Sequence, residues 1–400
     1  MVRSIERPSI ELVARHIGDP VNRLRFLKTV VPRRRLWGEQ PRPWRACSPY
    51  LLAATIPLTL LAAFLVVRAA ARVPVGTMRN PPAGFSQSVP SPALPEVWMV
   101  DKGAREEVFS NGLHIDTRFA VSNRPRSYLA FPVDGPAEGR AVRRSAPAGI
   151  VFHTTESLQI PFEAQQNRAL KRIGESLLGY VGRRRAYHYL IDRFGRVFRV
   201  VAEQDAANHA GYSVWADDHW RYLNLNQSFL GVSFEARTEE GQSNARLSPA
   251  QVRSAAMLTE LLRGRYRIPV TNCVTHLQVS VNPDNMCVGY HTDWASGFPF
   301  EQVGLPDNYS LVLPSVVTFG FVCDPAVREA AGPRLLRAME LAEAAFEQRA
   351  AAAGVRLPAY RKTAQREYRT LLAYVKKAQH EVHGGSDGDS GQGDRLASGP

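Results

Sequence analysis

Between Gly149 and Thr275, short β-rich apolar runs alternate with segments of helical spacing, and this alternation restricts the fold more than any other feature. GIVFH (Gly149–His153) reads as a strand, and Phe162 to Val181 has helical spacing at Ala169, Ile173, Leu177 and Tyr180. Tyr187–Ile191 and Val197–Val201 flank the turn DRFG (Asp192–Gly195), which makes a hairpin. Phe229–Glu235 and Thr271–Thr275 are further strands. Between them Ser248, Pro249 and Gln251 supply an N-cap, a first-position proline and a third-position glutamine, so a helix runs to about Arg263. The expectation is an α/β domain with a central mixed β-sheet flanked by helices.

The flanks differ in kind. Leu51–Val67 is 17 residues without a charge, and a run of roughly this length crosses a bilayer core at 1.5 Å rise per residue. Arginines crowd the 1–50 segment before it, which predicts a cytoplasmic tail, a single-pass anchor at 51–67 and all later residues outside the cytoplasmic membrane. A cleaved signal peptide is disfavoured because about fifty residues precede the apolar run, far more than a signal n-region holds. Residues 72–95 are rich in Pro, Gly and Ser and read as a linker. Residues 96–147 carry strand-like scraps (96–100, 117–121, 128–133) and read as an N-terminal extension of the sheet domain. Residues 324–383 are Ala-, Arg- and Glu-rich, a helical region split by Gly354 and Pro358, and 384–400 is a disordered tail.

Charge and cysteines narrow the setting. Lys+Arg is 50 against Asp+Glu 37, a net +13, but much of the surplus lies in the tail. With no helix-turn-helix, RNA-binding signature or zinc-finger spacing, nucleic acid is not an expected partner; an anionic membrane or cell-wall polymer fits better. Beyond the membrane run lie Cys273, Cys287 and Cys323, for which an oxidising space predicts one disulfide and one leftover thiol.

Six of the ten histidines fall between 153 and 291, and His153 and His276 each follow directly on a β-rich run. Side chains just past strand ends line the cleft of an α/β sheet, and two imidazoles, a carboxylate and an open water position make a catalytic zinc site. Taken singly, each histidine is better explained as a surface or core residue satisfied by a hydrogen bond.

Four strings in order remove that ambiguity: GIVFHTTES (149–157), AYHYLIDRFGRVFRVVAEQDAANHAG (186–211), FLGVSFEA (229–236) and THLQVS…GYHTDWASGFPF (275–300). Together they resemble the N-acetylmuramoyl-L-alanine amidase family that includes the peptidoglycan recognition proteins, over about residues 148–300. The resemblance implies a zinc amidase domain at 148–305, cutting the amide between N-acetylmuramic acid and L-alanine of peptidoglycan. It implies Zn2+ held by His153, His276 and Asp293, with Tyr187 assisting catalysis and His209 lining the substrate groove. His188 reads instead as strand packing.

Three departures leave alternatives open. LQVSVNPDNMCV (277–288) is longer than the family's usual loop, so Cys287 rivals Asp293 as third ligand. His291 stands where a lysine is common, as an acid or a ligand. Ser233 stands where many members have a catalytic glutamate, which leaves Glu235 as the nearest candidate base. Arg183, Arg184 and Arg185 either meet stem-peptide carboxylates or form a solvated basic face. The rival functions are a non-catalytic peptidoglycan-binding module and an envelope scaffold acting through the C-terminal helices.

Overall fold

The computed structural model describes residues 94–133, 140–238 and 245–384, all of them in one compact unit. The 1–50 tail, the 51–67 span and nearly all of the 72–95 linker and 384–400 tail lie outside the described residues. Among the described residues no helix is long and apolar enough to cross a membrane.

Eight strands form the central sheet: β1 (Met99–Lys102), β2 (Glu106–Phe109), β3 (His114–Asp116), β4 (Gly149–Thr154), β5 (Tyr189–Ile191), β6 (Val197–Arg199), β7 (Phe229–Phe234) and β8 (Cys273–Thr275). Their spatial order is β1-β2-β3-β6-β5-β7-β4-β8. The β5–β6 hairpin is antiparallel as the DRFG turn predicts, whereas β5, β7, β4 and β8 run parallel. β4 and β7 are buried at all six positions each, as parallel strands covered on both faces must be. Gly149 is required where they meet, because a Cβ there would lie 2.1 Å from the Phe229 ring.

Two helices cover the sheet. α1 (Asn167–Arg184) packs Leu178 and Val181 on Leu190 and Phe198. α2 (Pro249–Tyr266) lies on the opposite face, setting Leu258, Leu261 and Leu262 against Phe152, Tyr189 and Phe234. Its start is the expected capping box, with Ser248 Oγ accepting from Gln251 N at 3.1 Å and Gln251 Oε1 from Ser248 N at 3.0 Å.

The N-terminal extension is an integral part of this domain. It adds β1–β3 to one sheet edge, and its Tyr128–Pro132 strand joins a separate four-stranded sheet. Residues 117–121 form no strand; only a bridge from Val121 to Val201 is made. Arg126 is buried and held by carbonyls: it donates to Glu203 O (3.0 Å), Gln227 O (2.6 Å), Phe229 O (3.2 Å) and Asp205 O (3.0 Å). Burial pulls its pKa down to about 10, yet it remains charged at neutral pH.

The C-terminal region is helical as expected, with a short helix at Pro325–Ala330, then α3 (Pro333–Ala352) and α4 (Leu357–Gly384). It is not a separate body. Leu335, Met339, Tyr368 and Leu371 belong to the same buried cluster as Phe152 and Phe234. The buried Arg221 pairs with Glu367 of α4 at 2.9 Å.

The cysteine expectation is corrected. Cys273, Cys287 and Cys323 are all free. The strand pair Cys287–Val288 and Val322–Cys323 matches Cys287 with Val322, so the two thiols project to opposite faces of that ladder and cannot bond.

Arg126→Ala is expected to destabilise the protein by about 3 kcal/mol, because several buried carbonyls lose a charged donor at once. Urea unfolding of the two proteins measures this, and a midpoint unchanged within error would show that the extension is dispensable.

Candidate metal centre

The parallel register builds the centre. Val151 and Phe152 of β4 stand opposite Val274 and Thr275 of β8, and Ser233 of β7 stands opposite His153. One step past the end of β8, His276 comes level with His153, and the ring centroids are 4.3 Å apart. Both imidazoles are buried at the carboxyl end of the strands, where clefts form.

Asp293 reaches the pair from a loop that the next residue anchors. Trp294 is fully buried, edge-to-face with Phe234 (5.9 Å) and Phe298 (5.3 Å), and its carbonyl accepts the Tyr309 hydroxyl at 3.0 Å. Asp293 Oδ1 lies 2.7 Å from His276 Nδ1, and Oδ2 lies 3.4 Å from His153 Nδ1. Burial acts to raise the Asp293 pKa, but the adjacent His276 and His153 outweigh it and hold the carboxyl well below its usual range. Burial, then the neighbouring His276, lowers His153 to about 4, so it is neutral at pH 7.

This donor set fits a divalent metal. Donors 2.0–2.1 Å from a tetrahedral ion lie about 3.3 Å apart, close to the His153–Asp293 separation. Among the described residues no lysine or arginine pairs with Asp293, whose only ionisable partners are the two imidazoles. A nearly buried carboxylate without a cationic side chain is costly, and a metal ion would relieve it. His153, His276 and Asp293 form the only such cluster among the described residues, with ligand atoms within 4.8 Å. Cys287 is outside it; its Sγ faces Asn285 O at 3.7 Å.

Around this cluster the other predicted residues separate. Tyr187 is beside His153, with ring centroids 5.1 Å apart. Burial, and then the Asp293 charge, raises its pKa, so the hydroxyl keeps its proton. It lines a cavity of about 370 Å³ with Thr155, Tyr180, Arg184 and Asn208. A second cavity of about 560 Å³, sharing Asn208, is lined by Arg124 and Arg185. His291 stacks on His276 at 4.7 Å and 20° at the exposed rim. His188 is buried, accepting from Gly231 N at 2.9 Å, which matches the packing reading. His209 turns both nitrogens inward: Nδ1 lies 3.1 Å from His153 Nε2, and Nε2 lies 3.3 Å from Phe229 O.

Glu235 is corrected. It falls one residue past the end of β7, so strand alternation no longer aims it with Ser233. Its carboxylate accepts from Arg193 N at 3.2 Å and lies close to Gly174 of α1. Burial raises its pKa to about 7, against the backbone hydrogen bond from Arg193. Glu156 was missed, although the polar run after His153 marks it as cleft-edge. It accepts from Thr154 Oγ1 (2.5 Å) and from Thr238 N (3.1 Å), tying together the ends of β4 and β7. Glu156, Tyr187 and Trp294 all have left-handed backbones, with φ of 49°, 62° and 58°. Non-glycine residues seldom sit there, and such strain gathers at functional sites.

Comparison with known proteins finds one family profile and several solved structures that resemble this chain. A family profile described as N-acetylmuramoyl-L-alanine amidase matches residues 143–294. The solved structure of the N-acetylmuramoyl-L-alanine amidase LysC from Clostridium intestinale is 21% identical, covers 47% of this chain and 93% of its own, and has a TM-score of 0.25. The E. coli amidase AmiD, solved with an anhydro-N-acetylmuramic acid peptide as substrate, is 19% identical over 60% of this chain and 95% of its own, with a TM-score of 0.33. AmpDh3 from Pseudomonas aeruginosa, in complex with an anhydromuramic pentapeptide, is 21% identical over 49% and 82%, with a TM-score of 0.30. No curated protein matches the chain.

Zinc titration is expected to give one ion per chain, lost in His153→Ala and Asp293→Ala and kept in Cys287→Ser. Loss in Cys287→Ser with retention in Asp293→Ala would reverse the ligand assignment. Glu235 yields a pH test. Its folded pKa, about 7, exceeds the ordinary 4.5, so the folded state holds the proton more tightly. The resulting stability is full below pH 4.5 and lost as pH rises through 7. Glu235→Gln should therefore flatten the pH dependence of the urea midpoint between pH 4.5 and 7.5; an unaltered slope would refute a buried, proton-holding Glu235.

Proposed function

Because the segment 143–294 belongs to the N-acetylmuramoyl-L-alanine amidase family, we propose that the protein hydrolyses the amide between N-acetylmuramic acid and L-alanine in peptidoglycan, using zinc held by His153, His276 and Asp293. The observation that carries this reading is the meeting of two buried imidazoles and one carboxylate next to a proton-bearing tyrosine in a cleft. The family's typical metal fits that donor set, and zinc would supply Lewis-acid polarisation of the scissile carbonyl and acidify water.

The chain's own groups divide the remaining work. Tyr187 donates a hydrogen bond to the oxygen that gains charge in the transition state, where burial makes such a bond strong. His291, at the rim beside His276 and with its pKa lowered by burial, takes a proton from the attacking water and passes it to the departing amine. Ser233 is buried in the ligand row and carries no charge, and Glu235 faces Arg193, so neither serves as the base. Arg184 and Arg185, one at each cavity, meet carboxylates of the stem peptide. A membrane anchor at 51–67 would keep the domain beside the wall outside the cytoplasmic membrane.

The test uses zinc-loaded full-length protein and purified peptidoglycan. New amino termini on L-alanine are expected, suppressed by a chelator. Tyr187→Phe should slow their release about 10²-fold with zinc content unchanged. Zinc-loaded protein that binds peptidoglycan and frees no amino termini would make it a binding module.

A further inference from the structure

Of the two imidazoles in the centre, His153 alone has its far nitrogen engaged by protein; His276 Nε2 is buried without a hydrogen-bond partner. The proton positions around His153 follow from its neighbours. Phe229 O can only accept, so His209 Nε2, 3.3 Å away, carries the proton. A neutral His209 then presents a bare Nδ1 to His153 Nε2 at 3.1 Å, and that bond forms only if His153 Nε2 is the donor. His153 is thereby left with a bare Nδ1, the nitrogen that faces Asp293.

His209 is itself held on three sides. Asn226 Oδ1 accepts from the backbone N–H groups of His209 (2.7 Å), Ala210 (2.7 Å) and Gly211 (2.9 Å), which fixes the loop that carries it. The ring lies against Gly231 so closely that a Cβ there would be 2.6 Å from His209 Cγ. Its remaining nitrogen is bound to the Phe229 carbonyl.

We infer that His209, positioned by Asn226 and Gly231, is an outer-shell residue that locks His153 in the tautomer whose Nδ1 is free to bind metal. The inference rests on the metal reading given above. Partners of this kind fix ring orientation, and their loss typically costs about 10–100-fold in metal affinity.

The experiment measures the zinc dissociation constant of full-length protein by competition with a chromophoric chelator, beside the urea midpoint of the metal-free form. His209→Phe keeps a flat ring over Gly231 and removes both nitrogens; it is expected to weaken zinc binding about 10–100-fold. His209→Gln, whose side-chain oxygen can accept from His153, should recover part of that loss. Gly231→Ala removes no nitrogen but displaces the ring that carries them, so it should weaken zinc as His209→Phe does. If His209→Phe fails to fold, Gly231→Ala and Asn226→Ala carry the same expectation. Wild-type affinity in the folded variants would overturn the inference while leaving the metal site intact. A wild-type protein that binds no zinc would overturn the metal reading and this one with it.

Discussion

Everything at the centre depends on one unbroken parallel register across β7, β4 and β8. Side chains in neighbouring parallel strands stand level, so a residue's height along its strand decides what it meets. His153 is the fifth residue of β4, and His276 follows the last of β8; with Phe152 opposite Thr275, the next pair must be the two imidazoles. A slip of one residue would turn His153 to the α2 face and into the aromatic core. The close approach of Phe229 to Gly149 protects the register at the other end of the same strand pair.

The loop ligand is secured by different means. Asp293 has no strand to hold it, and its position is set by the burial of Trp294 against Phe234 and Phe298. Hydrophobic packing thus determines where a charge sits. The left-handed backbone at Trp294 is the conformational cost of burying the indole while leaving the preceding carboxylate in the cleft.

Much of this was legible in the sequence because it is local. Runs of β-rich residues ending at His153 and His276 report strand ends, and the capping box at Ser248 reports a helix start. The membership of His153, His276 and Asp293 in one cluster followed from family resemblance, and the structure brings their ligand atoms together. What failed to show depends on distance in three dimensions. Glu235 looked like a partner of Ser233 by strand alternation, which stops when the strand stops. One disulfide was expected among Cys273, Cys287 and Cys323, and only the ladder register reveals that the thiols of Cys287 and Cys323 point apart. Arg126 lay in a segment without recognisable pattern, because its partners are carbonyls, which every residue has.

The shared core of the C-terminal helices separates two extents that are easily equated. The residues of the candidate metal centre span roughly the stretch from His153 to Asp293, whereas the apolar surface that makes this stretch foldable extends through Leu335, Met339, Tyr368 and Leu371. A buried cluster that draws on distant segments melts as a whole, since losing one contributor uncovers the rest. The minimal candidate site is therefore smaller than the minimal object that can exist in water. Any rearrangement of this gene that carried off the motif-bearing portion alone would transfer the ligands without the means to hold them in place.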